Sequence, residues 1–492
     1  METASESDMT ADSLQTGDAA QATVTITIDE SKSSSLAPGF MGYNTALVWG
    51  AVSYLDENLQ KMAAPLGIGW LRYPAGTGSD AFDWTTGQVR PEWASHRGFS
   101  ASQRTLFLDS AKLLAGSGGL KIDDMNTLVG AIGAKGIIVC INAFTDTPQS
   151  AGEFAAYAKS HNIPVLAWEL ANEPFYFKKF FSSPKAYLNK MRPFRDAIKQ
   201  ADPDAVVAVS AIDAGHPKSS WDKMLKTYRP KYWDAVVVHH YLPVLKNPRS
   251  ADVAIKELNA ELHSKTTKYV KGRLANNIGA DMPVLITEYN AATGKGEGGI
   301  TGTLYGGIYA AEYALRMAQA PQVKYVGAHQ LMNKGGIGVT TANTEPVLAA
   351  YAQGKVVDTT KYDFGFFVNA QAAAYSVAAL ATADATLVLS TAVAGGGKVK
   401  NADGDWMPTV FAQAFKANTK TRLVLTNKGA SEEIVAITDS ANAPSKSLSV
   451  VTVTGPDRLA VNSKNESPVA AVKTTASGTV RLPAYSVVSV TW

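Results

Sequence analysis

The sequence predicts an α/β protein: a (β/α)8 barrel followed by a C-terminal β-sandwich that an N-terminal strand completes. Three observations predict it. From about residue 38 to 385, apolar runs of strand length alternate with helix-like stretches, the pattern of a parallel sheet. The runs number eight, the count that closes a barrel. Beyond about residue 385 the chain changes to short alternating runs separated by Gly, Asn, Asp, Ser and Pro, the signature of a sandwich.

Residues 1–21 are rich in Ser, Thr, Asp, Ala and Gln without periodicity and read as a flexible tail. Strict alternation begins at Ala22-Thr23-Val24-Thr25-Ile26-Thr27-Ile28, so residues 22–34 read as a strand that lies outside the barrel and crosses back to the sandwich. The barrel is assigned to residues 35–384, with strands expected at 40–44, 70–74, 136–142, 165–171, 205–211, 235–241, 284–289 and 323–330. The wide gap between the second and third holds a long loop carrying Trp84, Trp93 and His96, and insertions of this kind shape substrate clefts. The sandwich is assigned to residues 385–492, with strands expected at 385–389, 410–415, 421–425, 448–453 and 486–490.

A chain of 492 residues exceeds what one hydrophobic core organises. Its net charge of +3 is small and its charged residues, 18% of the chain, are dispersed, which argues against nucleic acid or a membrane surface as a partner. No apolar stretch approaches membrane-spanning length. Cys140 is the only cysteine and lies inside an apolar run, so it reads as a buried core residue rather than a reactive thiol. Large secreted bacterial proteins need no disulfides. The expected location is therefore secreted or periplasmic in a bacterium, with a signal peptide absent from this sequence, since residues 1–21 lack its basic and apolar regions.

Two glutamates carry the chemistry. Glu173, in Trp168-Glu169-Leu170-Ala171-Asn172-Glu173-Pro174, ends the fourth expected strand; Glu288, in Val284-Leu285-Ile286-Thr287-Glu288-Tyr289-Asn290, ends the seventh. Either string alone recurs by chance as a solvated loop. Together, at two strand ends of one barrel, they are the pair that double-displacement cleavage of a glycosidic bond requires, one carboxyl to protonate the leaving oxygen and one to attack the anomeric carbon. Glu173 suits the acid/base. Glu288 suits the nucleophile, which must stay ionised and so wants donors nearby.

Alternation places other groups beside them. His239 and Tyr241 share the inward face of strand six, where the tyrosine hydroxyl can donate to Glu288, while His240 points outward. Glu169 lies on the face of Glu173, deeper in the barrel, with Arg72 as the partner for Glu169 or Glu288. No metal or organic cofactor is expected. Consecutive strand residues such as His239 and His240 cannot share an ion. The GxGxxG spacing of Gly294, Gly296 and Gly299 falls in the seventh repeat, not the first unit of a doubly wound sheet, and reads as a mobile loop beside the nucleophile. Tyr43, Trp49, Trp84, Trp93, Phe175 and Tyr176 are candidates for stacking on sugar rings.

Four local matches then carry a resemblance: Leu71-Arg72-Tyr73-Pro74-Ala75-Gly76-Thr77-Gly78-Ser79-Asp80, Trp168-Glu169-Leu170-Ala171-Asn172-Glu173-Pro174, Val238-His239-His240-Tyr241, and Gln330 closing strand eight. On these, residues 38–385 resemble a clan A glycoside hydrolase, most similar to family 79, the heparanase and β-glucuronidase family, with families 39, 51, 30 and 44 as alternatives. The resemblance implies a retaining glycosidase acting on oligo- or polysaccharide, with Asn172 bonding the sugar 2-hydroxyl and Arg72, His239, Tyr241 and Gln330 around the sugar. A β-glucuronoside is the expected substrate. The rivals are β-glucan or xyloglucan backbone cleavage, α-L-arabinofuranoside cleavage, and a catalytically silent carbohydrate-binding protein. One place departs from the pattern: family 79 holds the uronate carboxylate with a tyrosine-bearing loop after strand eight, and here Leu331-Met332-Asn333-Lys334-Gly335-Gly336-Ile337-Gly338 has none, leaving Lys334 as the candidate cation.

Overall fold

The structure is a computed structural model that describes residues 23–114, 120–212, 220–241, 250–269, 275–291, 299–332, 338–341, 362–440 and 447–492, with 272, 347, 349, 350 and 353–355. Lys334, Gly294, Gly296 and the N-terminal 21 residues lie outside the described residues.

The eight expected runs form a closed barrel of parallel strands: Met41–Asn44, Trp70–Tyr73, Gly136–Ile141, Val165–Leu170, Val207–Ser210, Ala235–His240, Val284–Tyr289 and Val323–His329. They follow one another in chain order, and the eighth closes on the first through Val326 opposite Met41 and His329 opposite Asn44. Buried on both faces, such strands read as near-continuous apolar runs, which is why they stand out in the sequence. Side chains alternate between the helices outside and the barrel interior. Trp70 fills the lower interior with Ile138, Ala167, Ala208, Ala235, Val237 and Leu285. The indole fits because its neighbours are small: a Cβ on Gly42 or on Gly327 would stand 2.4 Å from its ring.

The insertion between strands two and three contains a short turn, the hairpin Phe82–Asp83 and Gln88–Val89, and the helices Pro91–Arg97 and Ala101–Leu114. Cys140 is buried in the barrel wall with its Sγ 3.2 Å from Ser79 Oγ.

The second unit is one nine-stranded sheet, in spatial order Ala470–Ala476, Leu448–Thr454, Ser486–Thr491, Lys420–Asn427, Val410–Ala417, Leu387–Gly395, Val24–Ser35, Glu433–Asp439 and Thr479–Leu482. It wraps around a single apolar core to which Ile26, Leu389, Leu425, Val435, Leu448, Val480 and Val488 all contribute. The N-terminal strand completes the sheet as expected, and it does so from within, antiparallel to Leu387–Gly395 and parallel to Glu433–Asp439.

Two helices, Leu304–Ala318 and Ala370–Thr382, are buried almost throughout and carry contacts to both units. They approach so closely that a Cβ on Gly307 would lie 2.6 Å from that of Ala374. Between them and the sheet lies a buried charge cluster, with Glu312 accepting from Lys428, from Thr426 at 2.8 Å and from Arg316 at 2.7 Å. Among the described residues no helix is long and apolar enough to cross a membrane.

Candidate active site

The site gathers at the carboxyl ends of the barrel strands. Strand four stops at Leu170, and Ala171 and Glu173 then adopt left-handed backbone conformations at φ 74° and 43°, which for non-glycine residues cost about 1–2 kcal/mol each. The following turn, Pro174–Tyr176, fixes the exit of the chain. Glu173 therefore sits at the barrel mouth with its side chain 20% exposed, and its Oε1 lies 2.8 Å from His239 Nδ1.

Glu288 reaches the same place by another device. Pairing between strands seven and six runs Ile286 to Val238 and then Glu288 to His239, so one residue is skipped and the bulge aims Glu288 inward. Its side chain is only 7% exposed. Three donors converge on it: Arg72 Nη1 and Asn44 Nδ2 on Oε1, the latter at 3.1 Å, and the Tyr241 hydroxyl on Oε2. Burial alone would push this carboxyl up, yet the charges of His239, His329 and Arg72 and the Tyr241 hydroxyl hold it well below the usual carboxylate range. Burial and the neighbouring carboxylate push the Tyr241 hydroxyl up, so it remains a donor.

Arg72 is the hub. Wholly buried, it gives Nε and Nη2 to Glu169 at 2.8 and 2.6 Å, a second Nη2 bond to Asn172 Oδ1 at 2.9 Å, and Nη1 to Glu288. Glu169 thus anchors the arginine from below, and the arginine orients both Asn172 and Glu288 above. His239 lies among three carboxylates, with Nδ1 3.8 Å from Glu288 Oε2 and Nε2 3.9 Å from Glu169 Oε1. Burial opposes its charge, but Glu288 and the bond to Glu173 outweigh this and raise it from 6.5 to about 9.

The structure brings Glu173, Glu288, Asn172, Arg72, His239 and Tyr241 into one cluster, with Gln330 at the carboxyl end of strand eight. It does not bring Tyr43 or Trp84. Tyr43 precedes the inward-facing Asn44, so alternation turns it outward, where its fully buried ring meets Tyr375 edge-on at 5.2 Å. Trp84 stacks on Phe154 at 4.7 Å and donates to Ser150 Oγ, fastening the inserted loop to the helix Pro148–Ser160. His240 points outward to Tyr313.

Three residues at the site carry no sequence motif of their own. Asn44 ends the first barrel strand and meets Glu288 only because the barrel closes. His329 stands 3.5 Å from Glu288 Oε2, and burial holds it below its ordinary value. Gly76 is required because a Cβ there would lie 2.5 Å from Glu288 Oε1 and 3.5 Å from Asn172 Oδ1. That signal lies inside Ala75-Gly76-Thr77-Gly78, within a match made for other reasons.

Ligand atoms of Glu173, His239 and Glu288 all lie within 4.8 Å of one another. Such a trio could bracket a cation, but both Glu288 oxygens already accept hydrogen bonds and the Arg72 guanidinium supplies positive charge there. The arrangement fits two carboxyls on either side of a shared reacting atom better than a metal shell.

No protein-family model matches this chain, and a search of curated proteins found no match. Solved structures do match in fold. A family 51 arabinofuranosidase from Xanthomonas axonopodis pv. citri superposes with a TM-score of 0.71 at 15% identity over 96% of this chain and 100% of that one. An α-L-arabinofuranosidase from Thermotoga maritima gives 0.67 at 14% over 95% and 99%. A family 30 endoxylanase from Clostridium papyrosolvens C71 gives 0.52 at 12% over 95% and 99%. Barrel and sheet are thus shared as one architecture over nearly the whole length of each chain.

Proposed function

We propose that this chain is a retaining glycoside hydrolase, with Glu288 as nucleophile and Glu173 as acid/base. One observation carries the reading: the two carboxylates have oxygens within 4.8 Å, one buried under three donors and the other partly open at the barrel mouth. Retaining enzymes hold the pair about 5–5.5 Å apart, whereas inverting enzymes leave about 6.5–9.5 Å for a water. Glu288, kept ionised, attacks the anomeric carbon while Glu173 protonates the leaving oxygen. Glu173 then takes a proton from the water that releases the glycosyl group from Glu288. Asn172, oriented by Arg72, is placed to bond the 2-hydroxyl as charge develops on the ring.

For the sugar, the fold likeness to α-L-arabinofuranosidases supports an α-L-arabinofuranoside, and the sequence resemblance to family 79 supports a β-glucuronoside. Among the described residues, Arg72 is already shared between Glu169 and Glu288 and His239 is held by Glu173, which favours the neutral sugar. A panel of aryl α-L-arabinofuranoside, β-glucuronide, β-xyloside and β-glucoside tests the choice. With the sugar that reacts, Glu288→Ala removes turnover. Glu173→Ala slows unactivated substrates by about 10²–10⁴-fold, less for good leaving groups, and azide restores rate with retained configuration. Glycan binding without hydrolysis of any panel member would make the chain a silent binding protein instead.

A further inference from the structure

Strand seven is least regular where it carries the nucleophile. Between Ile286 and Tyr289 it advances three residues while strand eight advances two, from Val326 to Ala328, and between Ile286 and Glu288 it advances two while strand six advances one, from Val238 to His239. A bulge of this kind re-aims a side chain and locally disrupts the ladder that holds the strands together. Just beyond it a side chain takes the ladder's place: Asn290 Nδ2 donates to the His329 carbonyl of strand eight at 3.1 Å. The ring of that same His329 stands with Nδ1 3.5 Å from Glu288 Oε2. Asn290 therefore ties the end of strand eight to the strand that carries the nucleophile.

Asn290 is itself held. Its Oδ1 accepts from the Ala291 N–H at 2.7 Å and from Gln371 Nε2 at 3.0 Å, so two donors fix which way the amide faces and leave Nδ2 for strand eight. Gln371 is oriented in the same way, because its Oε1 accepts from the Gly302 N–H at 2.7 Å. It stands in the first turn of the helix Ala370–Thr382, its own N–H bonded to Asn369 Oδ1 at 3.0 Å, and it is fully buried in a run of Ala370, Ala372, Ala373 and Ala374. An amide buried there is costly unless it is bonded. The helix Leu304–Ala318 leaves space for it: a Cβ on Gly306 would lie 3.0 Å from Gln371 Oε1, and one on Gly307 2.8 Å from the Gln371 carbonyl oxygen. Both helices also touch the sheet, so the chain of bonds runs from the junction of the two units through Asn290 to His329.

We infer that Gln371 is a positioning residue: through Asn290 it holds the ends of strands seven and eight together, and so keeps His329 and Glu288 in the relation that turnover needs. The inference rests on the glycosidase reading, which makes Glu288 the attacking group. The test uses the full chain and the aryl glycoside that the wild type hydrolyses fastest, with active sites counted by the matching 2-deoxy-2-fluoro glycoside, which forms a long-lived ester with Glu288. Asn290→Ala and Gln371→Leu should each lower kcat per site by about 10–100-fold, the loss that a misplaced group causes, with KM little changed. Because both act through one bond, the double variant should be no slower than the slower single one. Gln371→Glu keeps the acceptor for Gly302 and removes the donor to Asn290, so it should be as slow as Gln371→Leu at neutral pH. If Gln371→Leu does not fold, Gln371→Glu and Asn290→Ala carry the same prediction. Lys428→Ala, at the same junction but off this chain of bonds, should melt at a lower temperature and keep the wild-type kcat per site. Wild-type kcat per site in Asn290→Ala and Gln371→Glu, losses that add in the double variant, or an equal loss in Lys428→Ala overturns the inference while the glycosidase reading stands. A folded wild type that hydrolyses no glycoside of the panel overturns both.

Discussion

His239 links the two carboxylates and gives the site its pH behaviour. The folded chain holds its proton more tightly than the unfolded one, so the stabilisation is fully present below pH 6.5 and disappears as pH rises through about 9. Glu288 acts at the other end: its folded-state pKa is depressed, so its contribution is present above the ordinary carboxylate value of 4.5 and is lost as pH falls below it. The melting temperature of the wild type should fall between pH 7 and 9.5, and His239→Asn should flatten that limb while leaving the acid limb in place. A slope unchanged in His239→Asn would show that the proton sits elsewhere. That Glu173, Glu288, Asn172, Arg72, His239 and Tyr241 meet was legible from strand alternation and strand ends, although alternation alone turns Glu288 outward and the bulge beside it brings the carboxylate in. Asn44, Gly76 and His329 were not, since each matters only through Glu288 on another strand. Tyr43 and Trp84 were misread because an aromatic near a cleft and an aromatic beneath it look alike in sequence.

At the scale of elements, the barrel strands were legible for a physical reason: burial on both faces leaves unbroken apolar runs bounded by polar segments. The edge strand Ala470–Ala476 is exposed along nearly its whole length, and Glu433–Asp439 alternates in burial but begins and ends on the buried acids Glu433 and Asp439, so neither stood out as an apolar run. The pairing of Gly42 with Gly327 is equally silent in sequence, yet it admits the Trp70 indole. Gly42→Ala puts a methyl 2.4 Å from that ring and 2.5 Å from the Trp70 carbonyl oxygen, where backbone cannot yield as a side chain does. It should cost about 1–3 kcal/mol or more in urea unfolding. Because Trp70 and Arg72 occupy the same strand face, loss of activity should accompany the loss of stability. A neutral Gly42→Ala would mean that strands one and two spread easily.

At the scale of the whole molecule, barrel and sheet are joined by buried charge as well as by apolar contact. Glu312 on the interface helix accepts from Lys428 and Thr426 of the sheet, and both ends of the Glu312–Lys428 ion pair are fully buried. Removing one partner leaves an uncompensated charge, so Lys428→Ala should destabilise by about 3–5 kcal/mol. The double variant Glu312→Leu/Lys428→Met should recover much of that. Unfolding followed separately by tryptophan fluorescence and far-ultraviolet circular dichroism reads it out, and a Lys428→Ala chain as stable as the wild type would show that Arg316 alone balances Glu312.

The N-terminal strand has a consequence for the order of synthesis. Thr23 donates to Glu433, 410 residues further along the chain. At roughly 5–20 residues per second the ribosome makes the first strand about 20–80 s before its parallel neighbour exists. During that interval Val24, Ile26 and Ile28 have no core to enter, and the strand must wait, tethered beside a barrel that is still being built, without pairing to a strand of another nascent chain. One sheet thus takes its strands from both sides of the barrel in the order of synthesis.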